Sequence, residues 1–382
     1  MPNELPVSWS SPAFLADPYS YYRQMREIEP VYWDSDRGSW LLFRYADVEA
    51  VVRNDAAFSA QQGYATSMLV TDPPEHTRLR SLVNKAFTAR AVRELTPRIR
   101  QIIDGLLDSI AGRGEMDVIA DFAYPLPITV IGELLGVDPD RRDFFREVSV
   151  PLAIALGPVR DAQLAMNAFA GRNELLLYFD DLISRRRAEP RDDLVSAMIQ
   201  AEDRGDFLTH QELLGMMLLL LVGGHETTVN LIGNGLLAML RNPDQLETFR
   251  TNDGGERTAI DEMLRHDSPV QYSGRIARVD IEVGGQTIRA GQTVRMIFGA
   301  ANRDPEIFAD PETFNVARDP NEHMAFGYGI HFCLGAQLAR LEGEMALSAL
   351  IRRFPNIKLA KTDLCWRPAP VLRGLEALPI TF

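Results

Sequence analysis

The chain is poor in cysteine. Two thiols, Cys333 and Cys365, stand in 382 residues. That is too few to staple a chain of this length, so a disulfide framework is excluded and a reducing, cytoplasmic setting is expected. A long uninterrupted apolar run is also missing. The most apolar stretch, Leu213 to Gly224, stops at His225 and Glu226, whereas a bilayer span needs about 20 residues. A buried core helix is the expectation there. Met1 to Asp17 has neither a basic n-region nor an apolar h-region, which predicts no signal peptide and no membrane anchor. Nor is there a basic surplus. The 53 acidic against 40 basic side chains leave a net charge of −13, which argues against nucleic acid as a partner. Apolar residues at 46% and charged residues at 24% exclude disorder and low complexity. A soluble globular chain with a large core remains, and each cysteine needs its own explanation.

Periodicity predicts a mainly α chain with a small β-rich part drawn from both ends, and hence one interwoven domain over residues 1–382. Val31 to Trp33 and Trp40 to Phe43 flank the turn-rich Asp34 to Ser39 as in a hairpin. Helices are predicted over Tyr45 to Asn54 and over Glu75 to Ala89, after Pro73-Pro74. From Val92 to Arg250 the pattern is almost wholly helical, with breaks predicted near Gly112, Tyr124 to Pro127, Gly157-Pro158 and Glu189-Pro190. Ala277 to Phe298 reads as a meander of short strands with Gly turns, and Ala301 to Gly335 as irregular chain. A last helix, Leu334 to Phe354, carries Leu334, Leu338, Leu341 and Met345 on one stripe.

The run Phe326-Gly327-Tyr328-Gly329-Ile330-His331-Phe332-Cys333-Leu334-Gly335 leads straight into that helix. Its glycines let the backbone approach a bulky planar object. Free N–H groups and the positive end of the helix dipole favour a thiolate at Cys333. Such a thiolate is a strong axial donor to haem iron. The segment resembles the haem-binding signature of the cytochrome P-450 family: Phe, two variable residues, Gly, one variable, His or Arg, one variable, Cys, one variable, Gly. Five constrained positions at average residue frequencies arise by chance about once in ten thousand chains of this length. Cys365 reads instead as a small packing hydrophobe. Gly327-Tyr328-Gly329 lacks the third glycine and preceding strand of a dinucleotide loop, and His225-Glu226 lacks the second His of a zincin helix.

Other segments are similar to the family's motifs, in the family's order. Glu262 and Arg265 lie three apart on a helix face; alone they read as a surface ion pair worth about 0.5 kcal/mol or less. The resemblance implies instead a buried structural pair joined by Arg318. Gly223-Gly224-His225-Glu226-Thr227-Thr228 is similar to the oxygen-binding motif of small residue, Gly, variable, acid, Thr, with Gly223 where the family more often has Ala. Alone, Thr227 reads as a hydroxyl bonded to the carbonyl one turn back. The resemblance makes Thr227 the residue that hydrogen-bonds the reduced dioxygen and Glu226 a proton carrier, with Gly224 at the cofactor. His76 and Arg80, four apart on one helix face, together with Arg275 and His331, look like residues that bind the propionates of the haem.

What the resemblance implies is a cytochrome P-450 fold, with haem b (iron protoporphyrin IX) held between the oxygen-binding helix and the Cys333 loop helix. Phe326 and Gly327 would complete the cofactor-binding set. The implied activity is that of a haem-thiolate monooxygenase, using O2 to hydroxylate or epoxidise a medium-to-large apolar molecule in natural-product biosynthesis. Electrons would come from a ferredoxin or flavodoxin-type partner with its reductase, docked at a basic patch expected at Arg78, Lys85 and Arg340. The substrate pocket is expected from the Ser59 to Val70 loop, the Val150 to Ala170 region, Leu219 to Thr227, Val270 to Ser273, Ile297 and Val371-Leu372, with Gln61, Gln62, Gln271 and Arg373 as polar anchors. Peroxygenase or oxidative coupling chemistry at the same haem, and a non-catalytic haem or ligand carrier, are the alternative readings.

Overall fold

The computed structural model describes residues 8–61, 67–156, 162–203 and 208–382, with Lys85, Arg142 and residues 201–203 described by backbone only. Among them, helices dominate and strands are short. The strands are β1 (Val31–Asp34), β2 (Ser39–Leu42), β3 (Phe58–Ser59), β4 (Glu115–Asp117), β5 (Ser273–Ala277), β6 (Ile281–Val283), β7 (Gln286–Ile288), β8 (Thr293–Met296), β9 (Lys358–Leu359) and β10 (Pro379–Thr381). β1 and β2 form the expected hairpin, with Val31 opposite Leu42. The larger sheet has the order β1-β2-β8-β5-β3, so distant parts of the chain meet: β2 runs parallel to β8, Leu42 beside Met296. The expected meander divides. β5 pairs with β8, while β6 and β7 close a separate hairpin whose Gly284 and Gly285 both have positive φ, as a tight two-residue turn demands. β4 is too short to carry a period in the sequence; it pairs with β10, which also pairs with β9.

Helix boundaries differ from expectation at three places for local reasons. The helix Glu75–Asn84 stops early, a tight turn Lys85–Phe87 follows, and a new helix Ala89–Glu94 begins. Thr88 is extended there, and its side-chain oxygen accepts the Ala91 N–H as an N-cap. No break occurs at Tyr124 to Pro127. A π-turn Ile119–Ala123 leads into the helix Pro125–Leu135, where Pro125 occupies a first-turn position that needs no N–H. The stop comes at left-handed Gly136. The break expected at Gly157-Pro158 lies outside the described residues. Cys365 is exposed rather than a buried packing thiol. Trp366 bridges Leu375, and alternation along this extended segment turns its neighbour outward.

The central element is the helix His210–Arg241, 32 residues long and opened by a capping box between Thr209 and Glu212. By length and composition it could cross a membrane. Here it packs against the helices Pro125–Leu135, Ala162–Ala188, Glu256–His266 and Ala336–Arg353, and its apolar residues join the main core.

Beside that core the Glu262–Arg265 pair is fully buried, as the resemblance implied. Arg265 Nε and Nη2 donate to the two Glu262 oxygens at 2.7 and 2.9 Å, and Arg318 Nε adds a third donor at 3.1 Å. The Asn315 N–H also donates to Glu262. The remaining Arg265 donors reach the carbonyls of Asn302, Pro311 and Thr313. Both charges are thereby answered within the chain, and the loop 302–318 is fastened to the helix Glu256–His266. Glu262→Ala leaves Arg265 buried without its counter-charge and is expected to cost about 3–5 kcal/mol, measurable as a lowered urea midpoint; Arg318→Ala is expected to cost less.

Candidate active site

The Cys333 loop is shaped by its glycines. Gly327 and Gly329 have φ of 67° and 64°, a region that side-chain-bearing residues avoid. The Gly327 N–H donates to the Met324 carbonyl and the Cys333 N–H to the Phe326 carbonyl, each at 2.9 Å, which folds the segment into an arch. The Phe326 ring anchors it, lying 6.2 Å from Phe332 and under the Arg340 guanidinium at 4.5 Å. Cys333 sits just before the helix Ala336–Arg353, whose N-cap is Gly335. Its surface is exposed, yet burial among protein atoms raises its thiol pKa; the Gly335 N–H and the charges of Arg80 and Arg340 oppose this but do not outweigh it. A group both deep and accessible lies on the wall of an internal cleft. Desolvation of the charged form is here the larger effect.

Around Cys333 the fold gathers four basic side chains from three segments. His76 and Arg80 come from the helix Glu75–Asn84, Arg275 from the middle of β5, and His331 from the loop itself. The His76 and His331 rings lie 4.4 Å apart. His76 is 2% exposed, and neither of its ring nitrogens has a partner. Burial, with Arg80 and Arg275 adding repulsion, holds it below the usual histidine range. Burial, Arg275 and His76 push His331 down to about 3. Arg275 is buried, and among the described residues it has one hydrogen bond, to its neighbour's Gly274 carbonyl at 2.8 Å, and no carboxylate partner. Asp72, the acid that acts on it, is engaged by Ser59, the Ala60 N–H and Arg278. Arg80 clamps the loop by donating to the Ile330 and Phe332 carbonyls at 3.0 and 2.7 Å. Arg275 is thus a buried cation without an anion, which is costly, and the donors of His76, Arg80 and His331 around it suit a negatively charged group.

The long helix supplies another wall. Leu219, Val222, Gly223 and Thr227 follow helical spacing and are partly or fully exposed amid buried neighbours, so this stripe faces open space inside the protein. Thr227 Oγ1 donates to the Gly223 carbonyl at 2.9 Å, the back-bonded geometry of the simpler expectation. Gly224 is turned elsewhere. A Cβ there would lie 2.9 Å from Ile131 Cγ1, so its small size serves packing on the helix Pro125–Leu135. Glu226 is buried and paired with Arg367, whose Nη1 donates to Oε2 at 2.7 Å. Burial pushes its carboxyl up, but His225 and Arg367 prevail and hold it below the usual glutamate range. His225 Nδ1 donates to the Leu221 carbonyl at 2.6 Å, and its Nε2 meets Ser149 Oγ at 3.0 Å. The imidazole Nε2 also lies 3.4 Å from Glu226 Oε1, the largest of the influences that hold the carboxylate down.

A profile of the family described as Cytochrome P450 matches residues 165–252 and 257–366. The chain belongs to the cytochrome P450 family. It is 43% identical to Cytochrome P450 107B1 of Saccharopolyspora erythraea, over 96% of each chain. It is 39% identical to the 6-deoxyerythronolide B hydroxylase of the same organism, over 97% of each. The solved structure of CYP109E1 from Bacillus megaterium in complex with testosterone superposes with a TM-score of 0.93 at 36% identity, covering 97% of this chain and 99% of that one. This P450 is accordingly a monooxygenase with the family's haem-thiolate cofactor.

Several expected contacts of this P450 are absent. Arg340 is no free docking cation: its Nε donates to Asp261 at 2.6 Å, and its side chain is 12% exposed. Arg78 is paired with Glu212, and the Lys85 side chain lies outside the described residues. Two expected substrate anchors are structural. Gln271 is buried and donates to Tyr19 Oη and the Ser268 carbonyl. Arg373 holds Asp267 and the Leu15 and Ala16 carbonyls while stacking on Trp366. Gln61 is exposed, and Gln62 lies outside the described residues.

Sequence reasoning missed Arg367, because a lone Arg 141 positions from Glu226 leaves no spacing signal. It also missed Asn230 and Asn234, although polar residues one and two turns beyond Glu226 in an apolar helix were legible. Gly224→Ala forces Ile131 to move and is expected to cost about 1–3 kcal/mol, read as a lower thermal midpoint. Gly223→Ala meets only Leu219 Cδ1 at 3.9 Å and is expected to leave stability nearly unchanged.

Proposed function

We propose that this P450 oxidises a medium-to-large apolar small molecule bearing a few oxygen functions, within natural-product biosynthesis in the cytoplasm, as one domain over residues 1–382. A relative named as the 6-deoxyerythronolide B hydroxylase and one solved in complex with testosterone support that substrate class, as does the apolar stripe Leu219, Val222. The observation that carries the reading is buried Arg275 without an anion, flanked by His76, His331 and Arg80, beside a deep, accessible thiol.

These residues fit iron protoporphyrin IX. Among the described residues no group of three His, Cys, Asp or Glu side chains could hold a bare metal ion. A single cysteine therefore suits an iron already held by a macrocycle. Cys333 would hold the iron through its sulfur. His76, Arg275 and His331 would receive the two propionates. Arg80 would share its donors between a propionate and the loop carbonyls it already clamps. Phe326 and Gly327 fix the arch on which Cys333 rides. When bound, the haem supplies an electron-rich iron at which dioxygen is activated and its O–O bond cleaved.

The chain's own residues then handle water and protons. The apolar wall of the long helix displaces water as substrate enters and favours an apolar guest. Thr227, its hydroxyl oriented by the Gly223 carbonyl, presents its oxygen lone pairs toward the open space and accepts or relays a proton there. Glu226 is the carboxylate behind it, turned toward Arg367. A ferredoxin or flavodoxin-type protein with its reductase would bring electrons; with Arg340 and Arg78 already paired, its docking surface lies elsewhere on the Cys333 side.

Reduced protein under carbon monoxide is expected to show the strongly red-shifted Soret band of a thiolate ligand, and Cys333→Ser to lose it; an ordinary histidine-haem band in the unmutated protein would refute the assignment. Arg275→Met separates the cofactor role from a folding role by sign. Without haem the variant is expected to be more stable by at least about 1 kcal/mol, since an unpaired buried charge is gone. With haem it is expected to lose the cofactor several-fold faster in a transfer assay to an apoglobin.

A further inference from the structure

Asp261 stands beside Glu262 on the helix Glu256–His266, but its partners lead to the cysteine loop. Its Oδ1 accepts the Arg340 Nε–H at 2.6 Å and faces His323 Nε2 at 3.2 Å. His323 Nδ1 accepts the Ala325 N–H at 3.2 Å, so Nε2 carries the ring proton and donates it to Asp261. Burial holds this imidazole below the usual histidine range. Both arms end at Phe326. The Arg340 guanidinium lies 4.5 Å over its ring, and Ala325 is the residue before it. The Phe326 carbonyl in turn accepts the Cys333 N–H at 2.9 Å. Fastening this helix to the later chain does not require the set, since Glu262, Arg265 and Arg318 already do so. Apolar side chains would pack the two helices without removing charge from water. What the set adds is a cation fixed on the ring beside the ligand, with its counter-charge attached. Burial resists ionisation of Cys333, and Arg340 is one of two side-chain charges that favour it.

We propose that Asp261 is a positioning residue for the iron ligand: it holds Arg340 against Phe326, tempers that positive charge, and so sets how much electron density the Cys333 sulfur gives the haem iron. The role rests on the haem-thiolate reading above. A cation near the sulfur draws its negative charge away from the metal and favours the reduced state. A carboxylate on that cation returns part of the charge, as an outer-shell partner of a ligand does. More donation favours O–O cleavage; less makes the iron easier to reduce. Asp261 and Arg340 together fix the balance. The His323 arm keeps the geometry constant, because the Ala325 N–H it holds stops the Phe326 ring from sliding out from under Arg340.

The midpoint potential of the haem-loaded, substrate-free protein tests this, titrated with dithionite in the presence of mediator dyes. Asp261→Asn keeps the shape and removes the negative charge. It is expected to favour the reduced iron at least threefold, about 28 mV upward at 59 mV per tenfold for one electron. Arg340→Gln is expected to move the potential at least as far downward, and Arg340→Lys to restore most of that loss. Shifts of the same sign, or shifts below threefold, overturn the proposal: a purely structural pair would lower the urea midpoint of both variants without moving their potentials in opposite directions. Should Asp261→Asn fail to load haem, the two Arg340 variants decide, and equal potentials in them overturn it. The carbon monoxide spectrum keeps the two readings apart. A retained thiolate band with unmoved potentials refutes the role of Asp261 alone, whereas a missing band in the unmutated protein refutes the site.

Discussion

A charge taken out of water has to be answered by another charge or by hydrogen bonds, and this protein treats that constraint in two opposite ways. Glu262 and Arg265 are wholly enclosed, and every oxygen and nitrogen that matters finds a partner supplied by the chain, including Arg318 from a distant loop. The result is a rigid support under the helix Glu256–His266. Arg275 and His76 are buried as well, but among the described residues Arg275 has no carboxylate partner and the His76 ring nitrogens no partner at all. One set stores no demand for a ligand, and the other does. The contrast separates scaffold from site without reference to any relative.

The same constraint reaches the thiol. Cys333 is surrounded closely enough that ionisation is resisted, though a helix N-terminus and two guanidinium groups favour it. A free thiolate would be reactive toward oxidants. The arch of Gly327 and Gly329 carries that side chain, and Arg80 ties the arch to the helix carrying His76. Loop shape, ligand and anion cradle are thus parts of one electrostatic arrangement.

Contiguous features were legible in the sequence. The Cys333 loop compresses its chemistry into ten residues, and the Glu262–Arg265 spacing announces a shared helix face. Long-range pairings were not, because they leave no local trace. Arg318 became visible only through resemblance, and Arg367 not at all. Polar residues beside the expected pocket were misread for a related reason: composition does not reveal which way a side chain turns, and Gln271 and Arg373 turn into the scaffold. Gly224 was expected at the cofactor; what the sequence did not show is that a side chain there would run into Ile131. Cys365 was assigned by the average behaviour of its residue type, and strand alternation overrode that average.

The parallel pairing of β2 with β8 has a consequence for biogenesis. During synthesis the hairpin of residues 31–42 is among the first structures to emerge, yet its inner edge stays unpaired until residue 296 has left the ribosome. Until then Trp40, Leu41 and Leu42 form an apolar strand with one edge unpaired, the kind of surface that invites association between nascent chains. Completion of this sheet therefore waits on the synthesis of residues 293–296.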